Sequence, residues 1–388
     1  MKQVYLDHSA TTPVRQEVLE AMLPYFSEEY GNASSVHGFG QRARNAIEGA
    51  REKVASLLGA SPEEIIFTSG GTESDNLAIK GLAAAPHVRG KQVVTSAIEH
   101  HAVLNTCTAL EKQGFAVVQL PVDRHGLVDA EELRQASANA KGDVALVSIM
   151  MANNEVGTIE PIRELAAVAA EASVPFHTDA VQAVGKVPVD VRELGVDLLS
   201  LSAHKFYGPK GVGALYVRSG TRIQPLQHGG HHEKNLRAGT ENVPGIMGLA
   251  RALELACEEM ETEAQRLHEL RDRLQEGLMD RIPDSLLNGH PVKRLPHLLN
   301  MSFENVEGES ILLSLDAVGI AASTGSACTS GTLEPSHVLT AMGMPPGIAH
   351  GSLRFSLGRV NTAEDIEYVL EKLPPIIERL RQMSPFSK

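Results

Sequence analysis

Apolar residues recur along the chain in two rhythms that take turns. Over 41–58, Ile47, Ala50, Val54, Leu57 and Leu58 fall on one face at helical spacing and Gly59 supplies a stop, which predicts an amphipathic helix. Short β-rich runs follow at 65–68, 93–95, 144–149, 174–178 and 196–201, separated by helical patterns such as 131–136 and 162–172. Strands alternating with helices predict crossover units on a mostly parallel sheet covered on both faces. The run 211–217 reads as a further strand returning after a tight turn.

Near Glu241 the rhythm changes to one long helix, with Leu267, Leu270, Leu274 and Leu278 on a single face. Beyond it come a strand-like run at 298–303, a loop at 323–336, a second strand-like run at 353–356, and a last helix from Ala363 that Pro374-Pro375 should kink or end. The expected organisation is therefore α/β with two domains. A large domain at 16–258 holds a mostly parallel sheet sandwiched by helices, and a smaller α+β domain is built from 1–15 and 259–388, the boundary falling inside the long helix.

Composition narrows the class. With 48 acidic and 35 basic side chains in 388 residues the formal charge is −13, which argues against an electrostatic footprint on nucleic acid. No run approaches the roughly 18 to 20 apolar residues that span a bilayer. The start reaches Asp7 where a signal peptide needs an apolar stretch, so the expected location is cytoplasmic with no membrane partner. Three cysteines are too few for a disulfide framework. Cys107, beside Leu104 and Ala109, and Cys257, among Leu253, Leu255 and Ala256, read as packing residues. Cys328 differs, because 323–332 is small and polar and suits a movable loop.

Ligands of parallel α/β sheets gather at the carboxyl ends of the strands, and five strand ends here are unusually polar. The first runs into Ser69-Gly70-Gly71-Thr72, where glycines and helix-start amides favour phosphate, although no Gly-Lys-Ser/Thr makes it a Walker loop. The others are Glu99-His100-His101, Asn153-Asn154-Glu155, His177-Thr178-Asp179-Ala180-Val181-Gln182 and Ser202-Ala203-His204-Lys205. Alone, the first reads equally well as an ordinary capped turn, a lone histidine is more often structural, and the lysine is more often a surface residue. Jointly they point further: a lysine ending a buried strand suits a Schiff-base amine, and Asp179 lies about one crossover unit upstream. A carboxylate for a pyridinium nitrogen, a lysine for a Schiff base and a glycine-rich phosphate cradle are what pyridoxal phosphate requires. The cluster His228-Gly229-Gly230-His231-His232 lacks a carboxylate or cysteine at a known ligand spacing, and no metal is expected there.

In this order, those motifs together with Gly325-Ser326-Ala327-Cys328-Thr329-Ser330 resemble the cysteine desulfurases of the NifS and IscS type, from Tyr5-Leu6-Asp7 to Arg354-Phe355-Ser356. The resemblance implies a fold-type I pyridoxal phosphate enzyme, a homodimer, that converts L-cysteine to L-alanine. It passes the sulfur as a persulfide to iron–sulfur cluster or other thiocofactor assembly through a scaffold or another acceptor protein. It further implies roles for single residues. Lys205 forms the Schiff base and moves the Cα proton, while Asp179 holds the ring nitrogen protonated. His100 stacks on the ring as acid/base, and Gln182 and Asn154 contact the ring oxygen. Gly71, Thr72, Ser202 and His204 surround the phosphate, joined by Thr240 from the partner subunit. Arg354 takes the substrate carboxylate, with Asn154 beside it, and Cys328 receives the sulfur. His232 and Lys234 depart from the family's usual residues, as does His8-Ser9, to which no role is assigned. A selenocysteine lyase or aminotransferase of the same fold would share Lys205 and Asp179 without needing Cys328. A third reading is a catalytically silent docking or sulfur-carrier protein, against which the intact candidate catalytic positions argue.

Overall fold

The computed structural model describes residues 2–324 and 335–383. After a two-residue strand β1 (Val4–Tyr5), the strands β2 (Ile65–Thr68), β3 (Gln92–Ser96), β4 (Ala116–Leu120), β5 (Val144–Ser148), β6 (Phe176–Asp179), β7 (Leu198–Ser202) and β8 (Gly213–Val217) form one sheet in the order β2-β8-β7-β6-β5-β3-β4. β8 runs antiparallel to both neighbours and every other pair is parallel. Every residue of β5, β6, β7 and β8 is buried, which is why β5, β7 and β8 read as nearly continuous apolar runs, while β6 carries the polar His177, Thr178 and Asp179 into the interior.

Successive strand residues feed opposite faces. Ile66, Val93, Leu146 and Leu198 pack under the helices Gly71–Ala83 and His101–Glu111, whereas Ile65, Val94, Val147 and Leu199 face Gly38–Leu57 and Ile162–Glu171. The long helix Val243–Arg281 serves two interiors. Its Leu249 and Leu253 enter the core on the second face, while Leu267, Leu274 and Leu278 enter a separate cluster with Leu299, Phe303, Phe355 and Ile366. Around that second cluster, β9 (Ser285–Asn288), β10 (Leu298–Phe303) and β12 (Ser352–Ser356) make an antiparallel sheet in the order β12-β10-β9, and β11 (Ile320–Ala321) pairs parallel with β1. The N-terminal arm is thereby packed against the C-terminal part of the chain. Truncating a fully buried side chain here, as in Leu274→Ala, is expected to cost about 2–5 kcal/mol.

Two features differ from the reading of the sequence. β4 and β9 are strands that the apolar pattern did not mark, because β4 lies at the sheet edge and β9 is only partly buried, so neither carries an unbroken apolar run. The last helix does not end at Pro374-Pro375 but runs from Ala363 to Met383 through both. Pro374 has no N–H for the carbonyl of Leu370, and the Arg281 guanidinium supplies the missing donor at 2.9 Å. Among the described residues, no helix is long and apolar enough to cross a membrane.

Candidate active site

The polar ends of β3, β5, β6 and β7 and the helix start after β2 converge on one cleft of about 310 Å³. Gly71, Thr72, His100, Asn154, Asp179, Gln182, Ser202, His204, Lys205 and Arg354 all line it. Thr240 does not line it and is exposed. Cys328 lies outside the described residues.

At one end of the cleft the helix Gly71–Ala83 begins. Gly70 has φ +149°, a conformation that disfavours side chains, and a Cβ on Gly71 would sit 2.6 Å from Val181 Cγ2. Glycine at both positions lets the helix start close against the turn after β6. The first amides of this helix have no partners within it, so with the side chains of Thr72, Ser202 and His204 they form a cradle for an anion. Glu73 braces the same turn: its Oε2 accepts from the Ser69 amide at 2.7 Å and its Oε1 from Arg237 Nε at 2.9 Å.

Asp179 is the last residue of β6. Its Oδ1 accepts the Val181 amide at 2.9 Å, an Asx turn that aims the carboxyl along the cleft. Burial pushes this carboxyl up to about 6, against the lowering effects of the Val181 amide and the nearby Lys205. Lys205 follows β7 in a short 3-10 turn, and its Nζ donates to the carbonyls of Ser9 at 2.6 Å and Ala10 at 2.9 Å. Gln182 Nε2 donates to the same Ser9 carbonyl at 3.0 Å, and His204 Nδ1 lies 3.2 Å from Thr11 Oγ1. The arm at 7–12 is thus a wall of the site. Sequence reading assigned it nothing, since a backbone carbonyl acceptor carries no residue-type signal.

His100 caps the helix His101–Glu111, its Nδ1 accepting the Ala102 amide at 3.1 Å. Burial, with Lys205 and His101 adding to it, pulls this imidazole down to about 4. At neutral pH the ring is therefore uncharged, with its proton on Nε2. Arg354 reaches the cleft from β12: one terminal nitrogen donates to the Asn154 carbonyl at 2.9 Å and the other to Asp7 Oδ1 at 2.8 Å, while Nε has no partner among the described residues. Asp7 and Asp75 are further site carboxyls that sequence reading passed over. Among the described residues no group of three or more histidine, cysteine, aspartate or glutamate side chains is placed to hold a metal. His231 Nδ1 pairs with Asn235 Oδ1 at 2.6 Å and His232 Nδ1 accepts the Gly239 amide at 3.2 Å. Of the two cysteines read as packing residues, Cys107 is buried and Cys257 is half-buried.

A covered, mostly parallel sheet with a lysine, a buried aspartate and an anion cradle at its carboxyl edge defines a class of α/β enzyme. Residues 4–369 match the Aminotransferase class-V family, and the chain belongs to that family. It is 59% identical over 386 residues to the cysteine desulfurase IscS of Methanosarcina thermophila, covering 100% of this chain and 95% of that protein. Among solved structures, a NifS-like protein superposes with a TM-score of 0.91 at 44% identity, covering 98% of this chain and 100% of that one. The SspA protein in complex with cysteine superposes at 0.81 with 39% identity, covering 92% and 99%. The desulfurase resemblance and the fold class read from the motifs are borne out.

Proposed function

We propose that this chain is a pyridoxal phosphate-dependent cysteine desulfurase. The observation that carries the reading is the convergence of Lys205, Asp179, the Gly71–Thr72 helix start and Arg354 on one cleft. The residues present fit the cofactor: a buried carboxylate for a ring nitrogen, an amide-rich helix start for a phosphate and a lysine for the aldehyde carbon. When bound, pyridoxal phosphate supplies an electron sink that stabilises negative charge at the substrate Cα.

The chain's own groups do the rest. Gly71, Thr72, Ser202 and His204 would hold the phosphate, Asp179 would keep a proton on the ring nitrogen, and Gln182 and Asn154 would contact the ring oxygen. His100, which lines the cleft, would stack on the ring and serve as acid/base. Lys205 takes and returns the Cα proton, with the Ser9 and Ala10 carbonyls as its resting acceptors. Arg354 offers a guanidinium suited to bidentate contact with the substrate carboxylate; one of its terminal nitrogens now donates to Asp7. Cysteine and the Cys328 thiol give alanine and a Cys328 persulfide, so the C–S bond of the substrate breaks as an S–S bond forms. An acceptor protein such as an iron–sulfur scaffold then takes the outer sulfur.

The exposed apolar side chains Leu19, Leu23, Phe26, Tyr30, Val36 and Phe39 support a homodimer, in which the exposed Thr240 completes the partner's phosphate site. The test is an absorbance spectrum of the purified protein with and without L-cysteine, followed by assays for alanine and sulfide. A colourless protein that cannot be reconstituted with pyridoxal phosphate, or one releasing a keto acid, overturns the reading. Sedimentation as a monomer overturns the homodimer.

A further inference from the structure

The cleft contains a second carboxyl for which the proposed reaction has no use. Asp75, one turn into the helix Gly71–Ala83, lines the cleft with Asp179 and is 1% exposed, and its Oδ1 has no hydrogen-bond partner among the described residues. Behind it runs a buried polar chain. Asp75 Oδ1 lies 3.7 Å from His177 Nε2, His177 Nε2 lies 3.0 Å from Ser200 Oγ, and His177 Nδ1 lies 2.8 Å from Ser148 Oγ. Ser200 on β7 sits opposite Asp179 in the β6–β7 register, and His177 precedes Asp179 by two residues on β6, so the chain crosses the strand that carries Asp179.

Two buried carboxyls in one cleft cannot both ionise cheaply, since like charges in a desolvated site disfavour each other. The donors decide which one ionises. Asp179 has the Val181 amide and the field of Lys205. Asp75 faces Asp179 and Glu99, both acidic; the Ser200 hydroxyl is its favourable neighbour, and burial of His177 pulls that ring down to about 3, leaving it uncharged.

We propose that Asp75 is held as the neutral acid and acts as a positioning residue that leaves the negative charge of the site on Asp179. Burial and the neighbouring Asp179 push the Asp75 carboxyl well above its ordinary range, in agreement with the donor count. The neutral acid donates to Ser200 Oγ, Ser200 donates to His177 Nε2, and His177 Nδ1–H donates to Ser148, so every group in the chain points one way. Were Asp75 charged, it would raise the proton affinity of Asp179 and draw it away from the carboxylate form that a protonated ring nitrogen needs. The proton on Asp75 is a property of the chain alone; its consequence for Asp179 rests on the cofactor reading.

Infrared spectroscopy of the cofactor-free protein labelled with carboxyl-¹³C aspartate tests this. At neutral pH the labelled protein should show an acid C=O band that Asp75→Asn lacks and that Ser200→Ala shifts. Absence of that band, or its survival in Asp75→Asn, overturns the proposal. If Asp75→Asn does not fold, an unshifted band in Ser200→Ala overturns it instead. Asp75→Asn, which keeps a neutral donor, should hold pyridoxal phosphate within about threefold of the parent affinity, whereas Asp179→Asn should lose at least about tenfold. The reverse order overturns the division of labour. Failure of the parent protein to bind pyridoxal phosphate sinks the functional reading and leaves the infrared result to stand by itself.

Discussion

Two buried charged sites, one at the free edge of β2 and one at the carboxyl ends of the strands, are built by opposite rules. At the first, Arg51 and Glu233 are both buried and fully bonded. Arg51 donates twice to Glu233 at 2.7 and 2.8 Å and once to the Ile65 carbonyl at 2.8 Å, Glu233 accepts the Phe67 amide at 2.8 Å, and the guanidinium lies 4.8 Å from the Phe67 ring centre. The pair thus satisfies the free edge of β2, and the three left-handed residues Glu233, Lys234 and Asn235 are held in place to allow it. In the cleft, by contrast, Asp75 Oδ1 and Arg354 Nε have no hydrogen-bond partner among the described residues, and Asp179 and His100 are shifted from their ordinary titration ranges. Complete satisfaction marks a structural site. At the strand ends that line the cleft, incomplete satisfaction around shifted groups leaves polar atoms open to a ligand.

Substitutions can break or sharpen that contrast. The largest effect is expected for Lys205→Ala: alanine formation should fall by at least about 10⁴-fold, near the upper end for a removed acid/base group, while the melting temperature stays close to the parent value. Borohydride treatment should leave no cofactor fixed to that variant, and retention of the adduct would remove Lys205 from its role. Next comes Glu233→Gln, expected to cost about 3–5 kcal/mol in denaturant unfolding because it strands a buried arginine. A loss below about 1 kcal/mol would erase the distinction drawn between the two sites.

Arg354→Lys should raise KM for cysteine about 10- to 100-fold with a smaller change in kcat, since a lysine cannot make the bidentate contact. An unchanged KM would send the substrate carboxylate elsewhere. The smallest effect concerns Glu160, a buried carboxyl away from the cleft whose Oε1 has no hydrogen-bond partner among the described residues and which burial pushes up to about 8. A folded-state value above the unfolded one means the folded state binds the extra proton. The stability is therefore present below about 4.5 and lost as pH rises towards 8. Glu160→Gln should flatten that fall and gain about 2 kcal/mol at pH 8.5, measured by melting at several pH values.

Much of this molecule was legible without coordinates, for a physical reason. Strands buried on both faces must be continuously apolar, so β5 and β7 announced themselves, and the residues ending them mark the edge where ligands bind. That alone placed Lys205, Asp179, Asn154 and His100 at one rim. β4 at the sheet edge and the half-buried β9 lacked that signature. The proline pair in the last helix misled for a related reason: the donor that rescues the Leu370 carbonyl comes from Arg281, 89 residues away.

The sequence by itself determined the alternation of strand and helix, the polar strand ends and the residue types capable of pyridoxal phosphate chemistry, because periodicity and strand-end position are local properties. Only the tertiary structure decided what surrounds those residues. It brought the Ser9 and Ala10 carbonyls to Lys205, Asp7 to Arg354, and Asp75 beside Asp179 over the Ser200–His177–Ser148 chain. Backbone carbonyls are the same in every residue, and the charge state of a buried carboxyl depends on which donors reach it. Both are settled by neighbours in space rather than along the chain.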